Sequence, residues 1–298
     1  AVPLLDLLAI TPYLPPATAV LGLTASGKPM VHTFAAEPKP HVLITGNQNA
    51  GKTTLLRTVA ASLALTSRQG QIQLLAINPL SADRQRQQAH ETALQPLSYL
   101  PHMLTDVATR QSEITELLLF LVREMNYRME QEFSDPRLVI LIDQAATVME
   151  HGGRTAKQAI HTLAQRGEQS GLHLVLSTRR PEADVFGPHL LTSLQTRFVG
   201  QLDMDKATDA QAAATEVEAT TLLGEGDFLA ADDAHSVRFQ AAYIDNYDLH
   251  MSLAKIYRQR PILLAQPLER RVRLEQETKQ DRAGEQQFSF LDDLVPQS

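Results

Sequence analysis

The segment Gly46-Asn47-Gln48-Asn49-Ala50-Gly51-Lys52-Thr53 limits what this chain can be more than any other. It follows a short apolar run, His41–Thr45, that reads as a strand, and it opens a stretch from about Lys52 to Leu65 that reads as a helix. Two glycines let the backbone curl so that successive N–H groups converge, and the start of a helix adds partial positive charge. Glycine turns join strands to helices in many folds, but a Lys-Thr pair closing the turn is the mark of a phosphate cradle, a P-loop. Lys52 is expected to reach the β- and γ-phosphates of ATP and Thr53 to ligate Mg²⁺, with Gly46 to Thr54 as the cofactor-binding residues.

Such a site needs an acid at the end of a neighbouring strand. Leu138-Val139-Ile140-Leu141-Ile142-Asp143 supplies one, and Asp143 is the expected second metal residue. The simpler alternative is that Asp143 caps a strand end. The next residue, Gln144, stands where a general base is wanted, and an amide accepts no proton at neutral pH. Gln144 still orients water in principle, as a glutamine does in some GTPases. Two readings stay open: slow natural turnover, or a substitution that traps ATP.

The rest of the pattern agrees with one large α/β domain. Apolar runs at Ile72–Ile77, Leu138–Ile142 and Leu172–Ser177 read as buried strands, and further strands are expected at Arg197–Leu202, Asp227–Ala230 and Val237–Tyr243. Ile114, Leu117, Leu118, Leu121, Val122, Met125 and Met129 recur at helical spacing and predict a long amphipathic helix near 110–132, stopped by Asp135-Pro136. A second helix is expected near 155–169, after Gly152-Gly153. Strands alternating with helices imply a RecA-like, mainly parallel sheet covered on both faces. The first forty residues hold seven prolines and predict an extended lead-in with one β-hairpin, Val20–Leu23 with Met30–Phe34. The expected domains are thus 1–40, 41–265 and a polar tail, 266–298.

Composition narrows the setting. Cysteine is absent, which removes disulfides and thiolate chemistry and fits a reducing cytoplasm. No apolar run approaches the length of a membrane span, and Pro3, Asp6 and Pro12 interrupt the N-terminus as no leader peptide would. The chain starts at Ala1, so attachment to a membrane through residues outside it stays open. A net charge of −7 argues against a broad basic surface but leaves room for a few focused cations. The ten histidines show no metal-ligand spacing.

Five further segments resemble, in order, the FtsK/SpoIIIE family of DNA translocases within the HerA-FtsK group. They are the lead-in Gly22–Thr45, Pro101–Val107, Leu121-Val122-Arg123-Glu124-Met125 with Arg128, Gly171–Thr178, and Leu222-Leu223-Gly224-Glu225-Gly226-Asp227-Phe228-Leu229. The resemblance implies a ring, expected to be a hexamer, that moves double-stranded DNA with ATP and Mg²⁺. Three polar positions depart from the family: Asn78 for an aspartate, Gln144 for a glutamate and Arg179 for a glutamine. They favour natural divergence, and with it two alternatives: an ATP-binding scaffold that hydrolyses little, or a motor that moves protein, as in type VII secretion.

By the same resemblance Arg197, and after it Arg180, are candidates to meet the γ-phosphate of a neighbouring protomer, although an ordinary salt bridge explains either. Arg154 and Lys157, beside a two-glycine loop, are the candidate DNA contacts, with a plain charged loop as the alternative. Phe288–Val295 has the apolar and acidic make-up of a docking peptide.

Overall fold

A computed structural model describes residues 2–35, 41–80, 93–179, 183–203, 218–231 and 236–259. In chain order the described elements are β1 (Val2–Pro3), α1 (Leu4–Ile10), β2 (Thr18–Thr24), β3 (Pro29–Thr33), β4 (Val42–Thr45), α2 (Lys52–Thr66) and β5 (Ile72–Ile77). Then come α3 (Gln111–Glu130), β6 (Arg137–Ile142), α4 (Ala145–His151), α5 (Gly153–Arg166), β7 (Leu172–Ser177) and α6 (Ala183–Ser193). The last are β8 (Thr196–Gly200), β9 (Asp227–Ala231), β10 (Ser236–Tyr243) and α7 (Asn246–Gln259).

The main sheet runs β3-β2-β10-β9-β8-β4-β7-β6-β5. From β8 to β5 the strands are parallel, and the β3-β2-β10-β9 half is antiparallel and joins them through β9 and β8. The arrangement is the expected RecA-like one. Strand β7 lies between β4, which leads into the glycine turn, and β6, which leads into Asp143. That insertion sets the width of the site.

Alternation along the parallel strands divides the core in two. Leu43, Leu75, Ile77, Leu138, Ile140, Ile142, Leu172, Leu174 and Leu176 face one cluster, filled from outside by α3, α4, α5 and α6. The opposite face receives α2, which also packs along β2 and β10. Helix α3 presents Ile114, Leu118, Leu121 and Met125, all fully buried, at the spacing that predicted it. Truncating one of these to alanine costs ~2–5 kcal/mol in such a core.

Two expectations change. The start of the chain is not extended throughout: Leu4–Ile10 is helical because Leu4 and Leu7, one turn apart, are both buried, and the hairpin β2–β3 joins β10 in the main sheet. Helix α3 ends at Glu130, before Asp135-Pro136; Glu132 turns left-handed (φ 56°) and the Phe133 N–H returns to the Arg128 carbonyl.

The chain divides into two units, Ala1–Met251 and Ser252–Ser298; of the second only the end of α7 is described. The tail 266–298, with Phe288–Val295, lies outside the described residues, as does Arg180. Among the described residues no helix is long and apolar enough to cross a membrane.

Candidate nucleotide site

The turn from Gly46 to Gly51 sits at the carboxyl end of β4 and delivers Lys52 as the first residue of α2. Its shape is fixed from two sides. On one side the Asn47 N–H donates to the Gln201 carbonyl (2.8 Å) and its side chain to Asp203 (2.7 Å). On the other, the N–H groups of Glu225 and Gly226 donate to the carbonyls of Asn49 (3.2 Å) and Ala50 (3.0 Å). Gly51 has φ +96°, and a Cβ there would stand 2.7 Å from the Gly226 nitrogen, so only glycine fits.

Lys52 folds back over the turn. Its ammonium donates to the carbonyls of Gly46 (2.9 Å) and Asn47 (2.7 Å) rather than to a carboxylate. Burial lowers its pKa to about 8; Asp143 pulls it back up, and Arg179 pushes it further down. A half-buried cation hydrogen-bonded only to carbonyls is matched to an incoming anion.

Thr53 donates to Asp143 Oδ2 (2.7 Å). Asp143 is almost fully buried at the end of β6, and its Oδ1 accepts the Ser177 hydroxyl and the Gln144 N–H (3.0 Å). A hydroxyl and a carboxylate oxygen side by side form the hard-oxygen pair that Mg²⁺ prefers. Among the described residues no cluster of three or more His, Cys, Asp or Glu could hold a metal by itself, so an ion here needs the phosphates as further ligands. The residues fit Mg²⁺ on those terms.

Gln144 occupies the left-handed region (φ 50°, ψ 47°), unusual for a non-glycine residue. Its side-chain nitrogen is buried with no hydrogen-bond partner. Arg179 reaches back to the turn, donating to Gln48 Oε1 (3.0 Å). These residues line one cleft of about 820 Å³ that runs from Glu150 and Thr147 on α4, across Lys52, Thr53 and Thr54, to Gln240 and Tyr243 on β10. Gly46 is bonded into the floor by its N–H, which donates to the Arg179 carbonyl (3.4 Å).

Other sequence candidates lie elsewhere. Arg197 is at the amino end of β8, paired with Leu43, and its guanidinium donates to the carbonyls of Leu191 and Leu194 at the end of α6. It does not reach the phosphate site of its own chain. Arg154 is exposed on the first turn of α5, and the Lys157 ammonium donates to the Asp184 carbonyl (2.7 Å); neither lines the cleft. The expected two-glycine loop beside them is a tight corner. The Gly152 N–H bonds Val148 and its carbonyl accepts from Ala156, so helical bonding runs almost unbroken from α4 into α5.

Several family-like segments turn out to be scaffold. Arg128 is buried, paired with Glu124 (2.7 Å) and donating to the Pro136 and Ser170 carbonyls. Pro101–Val107 runs along the outer edge of β5, where Leu74 exchanges hydrogen bonds with His102 and Leu104. Asp227, held by Arg238 (2.6 and 2.9 Å) and by the Leu223 N–H, shapes the Gly224–Gly226 turn that supports the P-loop. Sequence reasoning missed Glu225, Gly226, Gln240 and Tyr243 as cleft residues, and also Glu150. Only the placement of Glu225 and Gly226 in the family-like segment Leu222–Leu229 hinted at any of them.

Fold and site together define a RecA-like P-loop nucleotide-binding domain. Residues 14–136 match the FtsK/SpoIIIE family. The chain is 26% identical over 269 residues to the DNA translocase SftA of Bacillus subtilis, covering 83% of this chain and 27% of that protein. It is 25% identical over 257 residues to the DNA translocase FtsK of Streptococcus pneumoniae, covering 77% of this chain and 32% of that one. The chain therefore spans about a third or less of these relatives, and its likeness to the FtsK/SpoIIIE family rests on residues 14–136 and on these alignments. Two solved structures share its fold: the cytoplasmic domain of the type VII secretion ATPase EccC of Thermomonospora curvata and the conjugation coupling protein TcpA of pCW3 with ATPγS. Both superpose with a TM-score of 0.65 at 20% identity; they cover 80% and 82% of this chain, and it covers 31% and 72% of theirs.

Proposed function

We propose that this domain binds ATP with Mg²⁺ and uses it to move double-stranded DNA as one protomer of a ring. The observation that carries the reading is the triad Lys52, Thr53 and Asp143 in working geometry. The ammonium rests on carbonyls that phosphate oxygens would replace, and the hydroxyl touches the carboxylate across the expected metal position. Mg²⁺, when bound, would neutralise charge on the terminal phosphates. Lys52 and the turn N–H groups would hold the triphosphate, and Asp143, oriented by Ser177 and Gln144, would fix the metal shell. The Gln144 amide, with a spare donor, would position water without deprotonating it. DNA is favoured over protein as cargo because the relatives that align over most of this chain are named DNA translocases.

Gln144 also favours a second reading, a domain in which bound ATP holds a ring together and turnover is negligible. Steady-state ATP hydrolysis, with and without double-stranded DNA, tests both when measured beside Gln144→Glu and alongside ATP affinity. DNA-stimulated turnover in either form supports the motor. ATP binding with both forms inert on DNA rejects it and leaves the scaffold. In either reading Arg197, or Arg180, would serve a neighbouring protomer's phosphates and Arg154 and Lys157 the polymer; charge reversal at each, scored by DNA-dependent turnover, tests those assignments.

A further inference from the structure

The cleft is lined from the ends of both β6 and β10, which lie on opposite sides of the P-loop strand β4 in the sheet, and these two sides differ chemically. At one end stand Asp143, Gln144 and Glu150, polar and acidic. At the other stand Ala93, Ala241 and Tyr243, the last 37% exposed. The direction in which a nucleotide lies follows from the middle. Thr53 is hydrogen-bonded to Asp143, so the metal and the terminal phosphates belong at the acidic end. Thr54, the next residue, also lines the cleft. One turn along α2, the Thr58 hydroxyl donates to the Ala242 carbonyl (2.6 Å), which fastens β10 to the helix immediately before Tyr243.

The Tyr243 side chain points to the P-loop side of β10. Alternation puts Ala241 and Tyr243 on one face of the strand. The Ala241 Cβ lies 3.5 Å from where a Cβ on Gly226 would be, and Gly226 packs against Gly51 of the P-loop. The backbone at Tyr243 is held by β1, which pairs Val2 with Ala242 and Pro3 with Tyr243. An aromatic ring on a strand end fixed by β1 and by Thr58, lining a cleft beside the start of α2, is a ready stacking platform.

Resting on the nucleotide-binding reading above, we propose that Tyr243 forms the nucleobase subsite of the cleft and stacks on the base of the bound nucleoside triphosphate. The chain contains no tryptophan, so Tyr243→Trp creates a single reporter at the platform. With Mg²⁺ present, Tyr243→Ala should weaken ATP binding about tenfold or more and leave inorganic tripolyphosphate binding unchanged. Tyr243→Trp should keep ATP affinity, and its fluorescence should be quenched by ATP but not by tripolyphosphate. Unchanged ATP affinity in Tyr243→Ala overturns the proposal, as does a tryptophan signal indifferent to saturating ATP. Equal losses for ATP and tripolyphosphate in Tyr243→Ala also overturn it, since the residue would then only support the P-loop. If the unaltered protein binds neither ligand, the phosphate-site reading itself is rejected, a result separate from the others.

Discussion

His41 leads into β4, only 2% exposed, and its Nδ1 accepts the Leu174 N–H (3.0 Å), closing a sheet hydrogen bond with a side chain. Its ring lies 6.5 Å from that of His173, which stands edge-on to Phe34 and meets the Arg137 guanidinium at Nε2 (3.4 Å). Burial lowers the His41 pKa to about 4, with the Ala164 carbonyl opposing part of the shift. In the unfolded chain the same ring titrates at ~6.5. The folded state therefore binds the proton less well, so the neutral ring's contribution is complete above pH 6.5 and is lost as the pH falls towards 4. Integrating between these values gives a loss of about 2 kcal/mol from pH 7.5 to pH 5, saturating near ~3 kcal/mol below pH 4. Protonation at Nδ1 would also set two N–H groups against each other at Leu174. His41→Asn keeps an acceptor for that N–H and removes the titration. Urea denaturation at pH 7.5 and pH 5.0 should show the unaltered protein losing about 2 kcal/mol more than the variant, read from midpoints at constant slope. Equal losses in the two proteins would refute the argument, because the acid sensitivity would then belong to other groups, His32 among them, whose pKa burial also lowers to about 4.

Three further outcomes are expected. Lys52→Met should raise the thermal midpoint of the nucleotide-free protein, since the lysine's lowered pKa marks a charge that costs stability below pH 8; the cost is at most ~3 kcal/mol, and the same variant should lose all stabilisation by ATP in a thermal-shift assay. Gly171→Ala should destabilise the fold by ~2 kcal/mol or more, because φ is +72° and the new Cβ would stand 2.0 Å from the Ser134 carbonyl oxygen; chemical denaturation reads it. Glu150→Gln should leave ATP affinity within about twofold, since the carboxylate lies on the cleft rim rather than in the phosphate cradle, and equilibrium binding checks that.

The parallel strands could be read largely because they are buried on both faces and appear as unbroken apolar runs. Ile72–Ile77 and Leu172–Ser177 fall where those runs do. The start of the chain could not: prolines at 3 and 12 flank a helix whose two buried leucines make too short a period to stand out. The phosphate half of the site was legible because its chemistry demands fixed spacing, Gly51-Lys52-Thr53 followed by an acid after an apolar strand. The nucleobase end was not. Stacking demands an aromatic ring in the right place and no particular neighbours, so Tyr243 looks in sequence like any tyrosine ending a strand. The loop beside Arg154 and Lys157 was misjudged for another reason, since a Gly-Gly pair reads as a loop and only the helical bonds across Gly152 reveal a corner.

Arg179 and Gln48 bear on how the departures from the family hang together. The family's glutamine at position 179 is neutral; arginine there places a second cation over the P-loop, held by a residue of the P-loop itself. Burial lowers the Lys52 pKa most and that cation adds to the shift, so the nucleotide-free site holds two cations close enough to repel each other. Such a site is suited to hold a triphosphate tightly and to release it slowly, the behaviour that Gln144, with no basic oxygen for the attacking water, would also favour. Arg179→Gln should therefore weaken ATP binding, by about tenfold for one charge-assisted contact, and do so far less for ADP if the guanidinium meets the terminal phosphate. Isothermal titration of both nucleotides against both proteins decides the point. A parallel loss for ATP and ADP would place Arg179 on the inner phosphates and separate it from the chemistry at Gln144.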